Sequence, residues 1–362
     1  MIIKHMIRTR TYQSRRSHVK ITWFIFLLLS VSLPGCQRPP QEHNSTILTF
    51  GTLVNITLWD IPPEQAQKAI KSIETDLRFM HGAYHAWQAG PLGRINMLLE
   101  TNAAFTANPA VIDLIYQARE LSIKSGGLFN PAISQLIAAW GFHQEERPPG
   151  PPPAAEVIRQ LLAEHPSMEG VSINDLTMQC KQTHCKLDLG AIAKGYALDK
   201  IMATLPNMGV HNAIINAGGD LKVIGNHGDR PWRIGIRNPR GEGVIASLNV
   251  TDGESVFTSG DYERFFNHAG RRYHHIIDPR TGYPAEGLVS VTVIHTNAAT
   301  ADAASTALFV AGTEKWPEIA RAMGIEDVMV IDNQGRTHIT PSMKKRVDFI
   351  VAPKELLERP LP

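Results

Sequence analysis

The chain has 362 residues, a formal net charge of +2 at pH 7 and 43% hydrophobic residues. A chain of this length can bury a sizeable core, so we expect one large domain. Several of the positive charges lie in the first 20 residues, which leaves the rest of the chain close to neutral. The composition therefore gives no support for nucleic-acid binding.

The N-terminal 35 residues have the pattern of an export signal. Residues 1–20 are basic with no acidic residue, and residues 21–33 form an apolar run too short for a comfortable membrane span. The run ends on Leu33-Pro34-Gly35-Cys36, which resembles a lipoprotein box. We expect residues 1–35 to be a signal peptide and Cys36 to be lipidated, with an uncleaved anchor as the alternative. The protein is then extracytoplasmic, held at the inner or outer membrane and facing the periplasm.

Two further cysteines, Cys180 and Cys185, lie close together in the sequence. In an oxidising compartment such a pair forms a disulfide more often than a metal site. His184 lies between them, but two thiols and one imidazole leave a zinc site one ligand short. The sequence therefore favours a disulfide.

The first half of the chain is predicted to contain one strand followed by helices. The predicted elements are a tether at 36–46, a half-buried strand at 47–59, helices at 61–80 and 108–125, an apolar stretch at 131–140 and a proline-rich surface loop at 147–153. The loop is assigned because proline can neither continue a helix nor pair inside a sheet.

The second half is richer in short strands. The predicted elements are a helix after a turn at Gly190 within 187–205, strands at 211–215, 220–224, 232–236, 244–250, 255–258, 262–266, 273–277 and 288–294, an alanine-rich helix at 300–310 closed by Gly312, a strand at 328–331 and a tail at 351–362. Mixed strands and helices predict an α+β fold, in a single domain over 47–350 that could be bilobal.

The common nucleotide-binding and hydrolase motifs do not occur. The sequence has no GxxxxGK[ST] loop, and no GxGxxG follows a predicted strand, so the usual phosphate loops give no support for nucleotide binding. Neither HExxH nor GxSxG is present. The glycine pairs Gly126-Gly127 and Gly218-Gly219 are, taken singly, typical of turns.

Four groups of segments nevertheless form a recognisable series. They are Ser125 to Pro131 with Ala139 to Phe142, Leu187 to Ala197, Asn216 to Asp220 with Thr258 to Tyr262, and His275 to Gly282 with Ala301 to Ala307. Their order and spacing resemble the ApbE family of FAD:protein FMN transferases over nearly all of residues 47–345. The resemblance implies an α+β enzyme that uses FAD and magnesium to attach FMN to a hydroxyl of an acceptor protein.

A magnesium site is expected on the alanine-rich helix. Asp302 and Thr306 are four residues apart, so both side chains project from one face. Hard oxygen donors of this kind suit Mg²⁺, which completes its shell with waters and phosphate oxygens. The resemblance implies that the backbone carbonyl of Ala191 is a third ligand. The alternative is a solvated Asp and Thr on an amphipathic helix.

The resemblance also places residues around FAD. It implies that Asp188 contacts FAD and that Lys194 lies near the pyrophosphate, whereas a helix cap and a solvated side chain are the respective alternatives. Further pocket positions implied by the resemblance are Phe50, Trp87, Leu128, Phe129, Asn130 and Ile277. Asn130 stands where the family more commonly has Asp, which puts in doubt any role there that needs a charge.

The chemistry of FAD suggests the remaining role. A hydroxyl must attack the FMN-side phosphorus while AMP leaves, and magnesium can neutralise the developing charge. We assign His275 as the base, because imidazole titrates near neutral pH; its alternative is to order the following turn. The family acceptor is a Thr or Ser of a periplasmic or membrane-bound redox protein. Competing functions are an FAD pyrophosphatase and a noncatalytic flavin-binding lipoprotein.

Overall fold

The structure, a computed structural model, describes residues 41–144, 147, 149–182 and 185–362. The export signal, Cys36 and the first part of the tether lie outside these residues, so they stay predictions. Residues Gln41–Pro362 form one compact unit. In the part of the chain that is described, no helix is long and apolar enough to cross a bilayer.

The helices alternate with strands along the first half and are sparse in the second. Within the described residues the α-helices are α1 (Pro63–Tyr84), α2 (Pro91–Leu99), α3 (Pro109–Lys124), α4 (Ser134–Ala139), α5 (Ala155–Ala163), α6 (Ala193–Thr204), α7 (Ala298–Met323) and α8 (Pro341–Lys344). Short 3-10 turns occur at Met168–Gly170 and Leu205–Met208. Proline occupies the first turn of α1, α2, α3 and α8, where its missing N–H costs no helical hydrogen bond.

Most strands join one large sheet. The strands are β1 (Glu42–Thr49), β2 (Thr52–Trp59), β3 (Phe105–Thr106), β4 (Val171–Asn174), β5 (Thr177–Cys180), β6 (Ala213–Ala217), β7 (Asp220–Ile224), β8 (Trp232–Arg237), β9 (Val244–Val250), β10 (Ser255–Gly260), β11 (Phe265–His268), β12 (Arg271–His274), β13 (Leu288–His295), β14 (Asp327–Asp332), β15 (Thr337–Ile339), β16 (Val347–Phe349) and β17 (Leu356–Glu358). In the described residues the large sheet has the order β1-β2-β6-β7-β10-β13-β14-β15-β17. Its pairs are antiparallel except β15 with β17. The expected α+β class is confirmed.

The two faces of the large sheet bury different layers. Helices α6 and α7 pack on one face, and the small sheet β16-β9-β8 covers the other. Side chains alternate between the faces along each strand. On β7, Leu221 and Val223 therefore enter the core against the small sheet, whereas Asp220 and Lys222 face the helices. The charged residues of β7 thus lie on the helical side.

Helix α7 lies close to α6 because its first half is rich in alanine. A Cβ atom on Gly195 of α6 would meet the backbone carbonyl of Ala298, so only glycine allows this approach. Gly312 has φ 72° and interrupts α7, which is consequently two helical segments joined by a kink. The predicted helix 300–310 corresponds to the first segment.

The predicted single strand at 47–59 is wrong. Two strands, β1 and β2, meet at a two-residue turn in which Phe50 has φ 51° and Gly51 has φ 69°. Positive φ at both positions is the geometry of a tight hairpin whose twist matches its strands. Buried positions are odd-numbered in β1 and even-numbered in β2, so the alternation changes phase at this turn.

The ends of the described unit contain more structure than expected. Residues 42–46 of the predicted tether belong to β1, where they pair with residues 55–59 of β2. The predicted tail at 351–362 contains β17, which pairs with β15. Backbone pairing orders both segments, and composition does not reveal it.

We expect Gly195→Ala to lower the free energy of unfolding by about 1–3 kcal/mol, because the added methyl group overpacks the α6–α7 contact. Gly82→Ala is the matched control, since it also lies within a helix but its Cβ would meet no atom within 4 Å. That control should be neutral or stabilising by up to about 1 kcal/mol. Urea unfolding of both variants measures the difference, and equal effects would contradict the close approach.

Candidate active site

One ammonium group lies between two buried carboxylates on three different elements. Lys194 Nζ, on α6, is 3.2 Å from Asp220 Oδ2 of β7 and 3.8 Å from Asp302 Oδ1 of α7. The side chain of Lys194 is 24% exposed, that of Asp220 13% and that of Asp302 5%. We call these three residues the acidic cluster. With both carboxylates ionised, it has one more negative charge than positive.

Backbone amides complete the hydrogen bonding of the acidic cluster. Asp302 Oδ2 accepts a hydrogen bond from Gly195 N at 2.9 Å, and Asp220 Oδ1 accepts one from Thr258 N at 3.0 Å. The close approach at Gly195 therefore also brings its N–H to the carboxylate. Such charge-assisted bonds offset part of the cost of removing the carboxylates from water.

Burial dominates the electrostatics of the acidic cluster. It raises the pKa of Asp302 to about 6 although Lys194 opposes the shift, and it raises the pKa of Asp220 as well. Burial alone would lower the pKa of Lys194, but the charges of Asp302 and Asp220 outweigh it and raise that pKa. The lysine therefore stays protonated. Its single positive charge does not offset the cost of burying two ionised carboxylates.

Hydroxyl groups lie beside the acidic cluster. Ser259 Oγ of β10 is 2.8 Å from Ser305 Oγ and 3.4 Å from Thr306 Oγ1, both on α7. Ser305 Oγ also donates to the carbonyl of Asp302 at 2.9 Å. Ser259 thus contacts both neighbouring hydroxyls of α7, of which the sequence analysis singled out only Thr306.

The donor set fits a hard divalent cation. Asp302, Asp220 and Thr306 offer carboxylate and hydroxyl oxygens, the donors that Mg²⁺ prefers, and the excess negative charge favours a cation. Among the described residues no group of three or more His, Cys, Asp or Glu side chains could hold a metal. A cation here would therefore depend on backbone carbonyls, such as that of Ala191 in the turn before α6, and on substrate oxygens.

Asp188 is already engaged by protein groups. Its Oδ1 accepts from Gly190 N at 2.8 Å, which orders the turn before α6, and its Oδ2 accepts from the indole Nε1 of Trp87 at 2.9 Å. The ring of Trp87 lies 5.0 Å from that of His143. Asp188 and Trp87, both assigned to the FAD pocket, are thus brought into direct contact.

The remaining pocket positions are dispersed. Phe50 lies in the β1–β2 turn with its ring 5.4 Å from that of His81. Leu128 and Phe129 are buried in the main core, and Ile277 is buried in a separate apolar cluster around Trp140. A ligand could therefore meet these three residues mainly through their backbone.

The side chain of Asn130 serves the fold. Its Nδ2 donates to the carbonyl of Pro166 at 2.8 Å, and its Oδ1 accepts from Ala132 N at 3.0 Å. An amide can donate and accept in this way, whereas an ionised carboxylate could only accept. The Asn at this position therefore ties the Gly126-Gly127 segment to the loop before Met168–Gly170.

His275 is held in a defined tautomer. The carbonyl of Arg264 accepts from the backbone N–H of His275 at 3.0 Å and lies 3.2 Å from its Nδ1. Because a carbonyl can only accept, Nδ1 carries the proton and Nε2 presents a lone pair. Burial, together with Arg264 and His274, lowers the pKa of His275 to about 3. The ring is therefore neutral near pH 7, but it is a weaker base than the near-neutral imidazole expected from the sequence.

The turn after His275 is fastened to α7. Arg280 binds the Asp278 carboxylate through Nε at 2.9 Å and Nη2 at 2.7 Å, and its Nη2 also donates to the carbonyl of Val310 at 2.9 Å. The carbonyl of Val310 lies just before the kink at Gly312. One guanidinium thus links the turn to the helix.

Cys180 and Cys185 are joined in a disulfide, with their Cα atoms 6.4 Å apart. His184, the candidate third zinc ligand, lies outside the described residues. The segment that follows is fixed by Asn96, whose side chain exchanges hydrogen bonds of 2.8 and 2.9 Å with the backbone of Leu187. Disulfide and amide together hold the chain that leads to Asp188.

Sequence reasoning missed three members of the site. Asp220, Ser259 and Ser305 lie inside segments of the family series, yet none was assigned a role. A signal was available for Asp220, because a charged residue among the apolar residues of a buried strand requires a partner. Ser259 had no such signal, since serine is common at strand ends.

Fold and site define an α+β protein with a metal-compatible acidic cluster between α6, α7 and β7. The chain belongs to the ApbE family, whose model matches residues 50–329. The series of segments that suggested this family lies wholly inside the matched region.

Curated relatives carry one common name. The chain is 41% identical over 324 residues to the FAD:protein FMN transferase of Rhodobacter capsulatus, covering 90% of this chain but only 62% of that protein. It is 32% identical over 360 residues to the FAD:protein FMN transferase of Treponema pallidum, covering 94% of this chain and 98% of that protein. The chain therefore spans less than two thirds of the first relative and nearly all of the second.

Solved structures of the family share the fold. The ApbE protein of Thermotoga maritima matches with a TM-score of 0.77 and 32% identity, over 84% of this chain and 99% of that one. The flavin transferase ApbE from Vibrio cholerae matches with a TM-score of 0.76 and 27% identity, over 85% of this chain and all of that one.

The raised pKa of Asp302 predicts a pH-dependent stability in the presence of a chelator. A carboxylate whose pKa is raised to about 6 stabilises the fold most below its unfolded pKa, and this contribution is lost as pH rises through 6. We expect the protein to lose about 1–3 kcal/mol of stability between pH 5 and pH 8. Asp302→Asn should flatten this dependence, as measured by thermal unfolding.

The exposed Asp348, 65% exposed in its side chain, is the control. Asp348→Asn should leave the pH dependence unchanged. If stability depends on pH equally in Asp302→Asn and wild-type protein, ionisation of Asp302 does not destabilise the acidic cluster.

Proposed function

We propose that this protein transfers FMN from FAD to a hydroxyl of an acceptor protein and releases AMP. The observation that carries the proposal is the acidic cluster, in which the buried carboxylates of Asp220 and Asp302 share the single ammonium of Lys194. Membership of the ApbE family, with relatives named FAD:protein FMN transferases, supports the same activity.

His275 would accept the proton of the attacking hydroxyl. The hydroxyl oxygen forms a bond to the FMN-side phosphorus, the phosphoanhydride bond to AMP breaks, and the hydroxyl proton passes to Nε2 of the imidazole. The bond from Nδ1 to the Arg264 carbonyl keeps Nε2 in the accepting form. The lowered pKa maintains this state over the physiological range.

Magnesium is the cation that we propose for the acidic cluster, with Asp302, Thr306 and the Ala191 carbonyl as protein ligands. Bound there, Mg²⁺ would neutralise charge on the pyrophosphate during transfer. The ammonium of Lys194 would add a fixed positive charge close to the same phosphates. Asp220 would hold that ammonium in place through its 3.2 Å contact.

The decisive experiment mixes the purified protein with FAD, Mg²⁺ and candidate acceptor proteins from the same compartment. Covalent flavin fluorescence on an acceptor band in a denaturing gel is the expected result. Release of AMP from FAD without acceptor would instead indicate a pyrophosphatase. Binding of FAD with neither labelling nor AMP release would indicate a noncatalytic flavin-binding protein.

We expect Asp302→Ala to lower the transfer rate at least about 100-fold with the fold retained, because a charged ligand worth several kcal/mol in the transition state is lost. Thr306→Ala should lower it only about tenfold, since water can replace a neutral ligand. Raising Mg²⁺ should partly rescue Thr306→Ala and hardly rescue Asp302→Ala. Near wild-type labelling by a folded Asp302→Ala protein, at unchanged Mg²⁺ dependence, would refute the metal assignment.

His275 should set no ionisation near pH 6.5. Because its pKa is lowered to about 3, the ring stays neutral as the solution falls from pH 8 to pH 5, and the rate should show no acid limb from this residue. His275→Gln should lower the rate about 100-fold or more, whereas His268→Gln on the neighbouring hairpin should not. The pH dependence of kcat/KM is the measurement, and an acid limb near pH 6.5 that disappears in His275→Gln would contradict this assignment.

We further propose that the protein acts outside the cytoplasm, anchored through a lipidated Cys36. The disulfide between Cys180 and Cys185 supports this compartment, because disulfides persist where the environment is oxidising. Mass spectrometry of the mature N-terminus in its native host should find an acylated Cys36. An unmodified Cys36, or an intact segment 1–20, would reject the proposal.

A further inference from the structure

A second set of charged groups lies beside the acidic cluster. Asp199, on α6, accepts hydrogen bonds from the backbone N–H groups of Ala298 and Ala299 at 3.0 Å each. Lys222 Nζ, on β7, lies 2.9 Å from Asp199 Oδ1 and donates to two backbone carbonyls, those of Gly253 and Thr296. We call Asp199 and Lys222 the anchor pair.

The anchor pair joins the same three elements as the acidic cluster. Asp220 and Lys222 are two residues apart on β7 and therefore lie on one face of the strand. Ala298 and Asp302 are four residues apart on α7 and therefore lie on one side of the helix. The charges are exchanged: α6 supplies the anion and β7 the cation, while α7 supplies the positive end of its dipole.

The anchor pair completes the hydrogen bonding at the start of α7. Asp199 accepts from the N–H groups of Ala298 and Ala299, the side chain of Asn297 accepts from that of Thr300 at 2.7 Å, and the N–H of Asn297 itself donates to His295 Nδ1 at 2.9 Å. All four N–H groups that a helix leaves without intrahelical partners are thus satisfied. Two of the four depend on a side chain from α6.

A carboxylate that binds the first two N–H groups of a helix fixes its rotation as well as its depth. Rotation of α7 about its axis would move Asp302 away from Gly195 N, to which it is hydrogen-bonded at 2.9 Å. Asp199 and Gly195 both belong to α6, so both contacts fix the position of α7 relative to α6. Lys222, only 9% exposed in its side chain, holds Asp199 from β7.

We propose that Asp199 and Lys222 are positioning residues for the reaction, acting by holding α7 so that Asp302 remains in the acidic cluster. The role rests on the proposed function, because it assigns the anchor pair to the helix whose carboxylate serves that chemistry. The anchor pair itself touches no reacting atom. Its effect reaches the cluster through the rigid first segment of α7.

Hydrogen exchange at the Gly195 amide tests this role without reference to activity. That amide donates to Asp302, so its exchange reports whether the carboxylate keeps its place. In Asp199→Asn we expect the Gly195 amide to exchange at least about tenfold faster than in wild-type protein, because local opening of the α6–α7 contact becomes easier. The same variant should lose kcat by about 10-fold to 100-fold, with KM for FAD changed less than about twofold.

Asp332 provides the matched control. Like Asp199, it accepts two backbone N–H groups, those of Gln334 at 3.0 Å and Arg336 at 2.9 Å, and it pairs with a cation, Arg336, at 2.7 Å. These contacts lie at the β14–β15 turn. Asp332→Asn should therefore lower stability while leaving Gly195 exchange and kcat close to wild type. Asp199→Glu, which keeps the charge, should recover part of the loss.

The outcomes separate the positioning role from the proposed function. Faster Gly195 exchange in Asp199→Asn but not in Asp332→Asn supports the role, even in a preparation that labels no acceptor. Unchanged Gly195 exchange, or an equal change in both variants, overturns it and leaves Asp199 as a helix cap. If Asp199→Asn does not fold, the same measurements are made on Lys222→Met, which keeps the hydrogen bonds from Asp199 to α7 but removes the cation that holds Asp199. Faster Gly195 exchange in that variant supports the role, and unchanged exchange overturns it.

Discussion

The site depends on one electrostatic constraint: two carboxylates are buried around a single ammonium. Removing such groups from water is costly, and the attraction between them repays the cost only when the geometry is good. Here the geometry is provided by backbone N–H groups as much as by Lys194, since Gly195 and Thr258 each donate to one carboxylate. Three elements must consequently hold fixed positions relative to one another.

The large sheet makes those positions possible because one of its faces packs against an apolar layer and the other carries charged side chains. One face meets the small sheet through apolar residues such as Leu221 and Val223. The opposite face of the same strand carries Asp220 and Lys222 toward the helices. A strand with period-two alternation can therefore contribute to a core and to a charged site at once.

Part of this arrangement could be predicted from the sequence. The pair Asp302 and Thr306 was found because four-residue spacing on an alanine-rich helix places both on one side. The two strands predicted at 220–224 and 244–250 have the bounds that the structure gives them. The turn at Phe50 was missed, because positive φ at a non-glycine residue leaves no trace in composition. Segment 42–46 was missed for a different reason, since its order comes from backbone pairing with residues 55–59 across the hairpin.

Long-range contacts account for what the sequence could not supply. No local pattern indicates that Asp199 binds the start of a helix about a hundred residues later, or that Trp87 meets Asp188. Family resemblance placed several of these residues in one pocket, but it did not say which atoms meet. The burial of Ile277 in a cluster apart from Phe129 shows that neighbours in a family series need not be neighbours in the core.

The kink of α7 has a mechanical consequence. A straight helix would keep the carbonyl of Val310 within its own ladder, whereas the interruption at Gly312 leaves that carbonyl to Arg280, which also grips Asp278. Arg280 thereby attaches the turn that follows His275 to the helix that carries Asp302. One guanidinium therefore fixes the turn that carries Asp278 relative to the helix that carries Asp302.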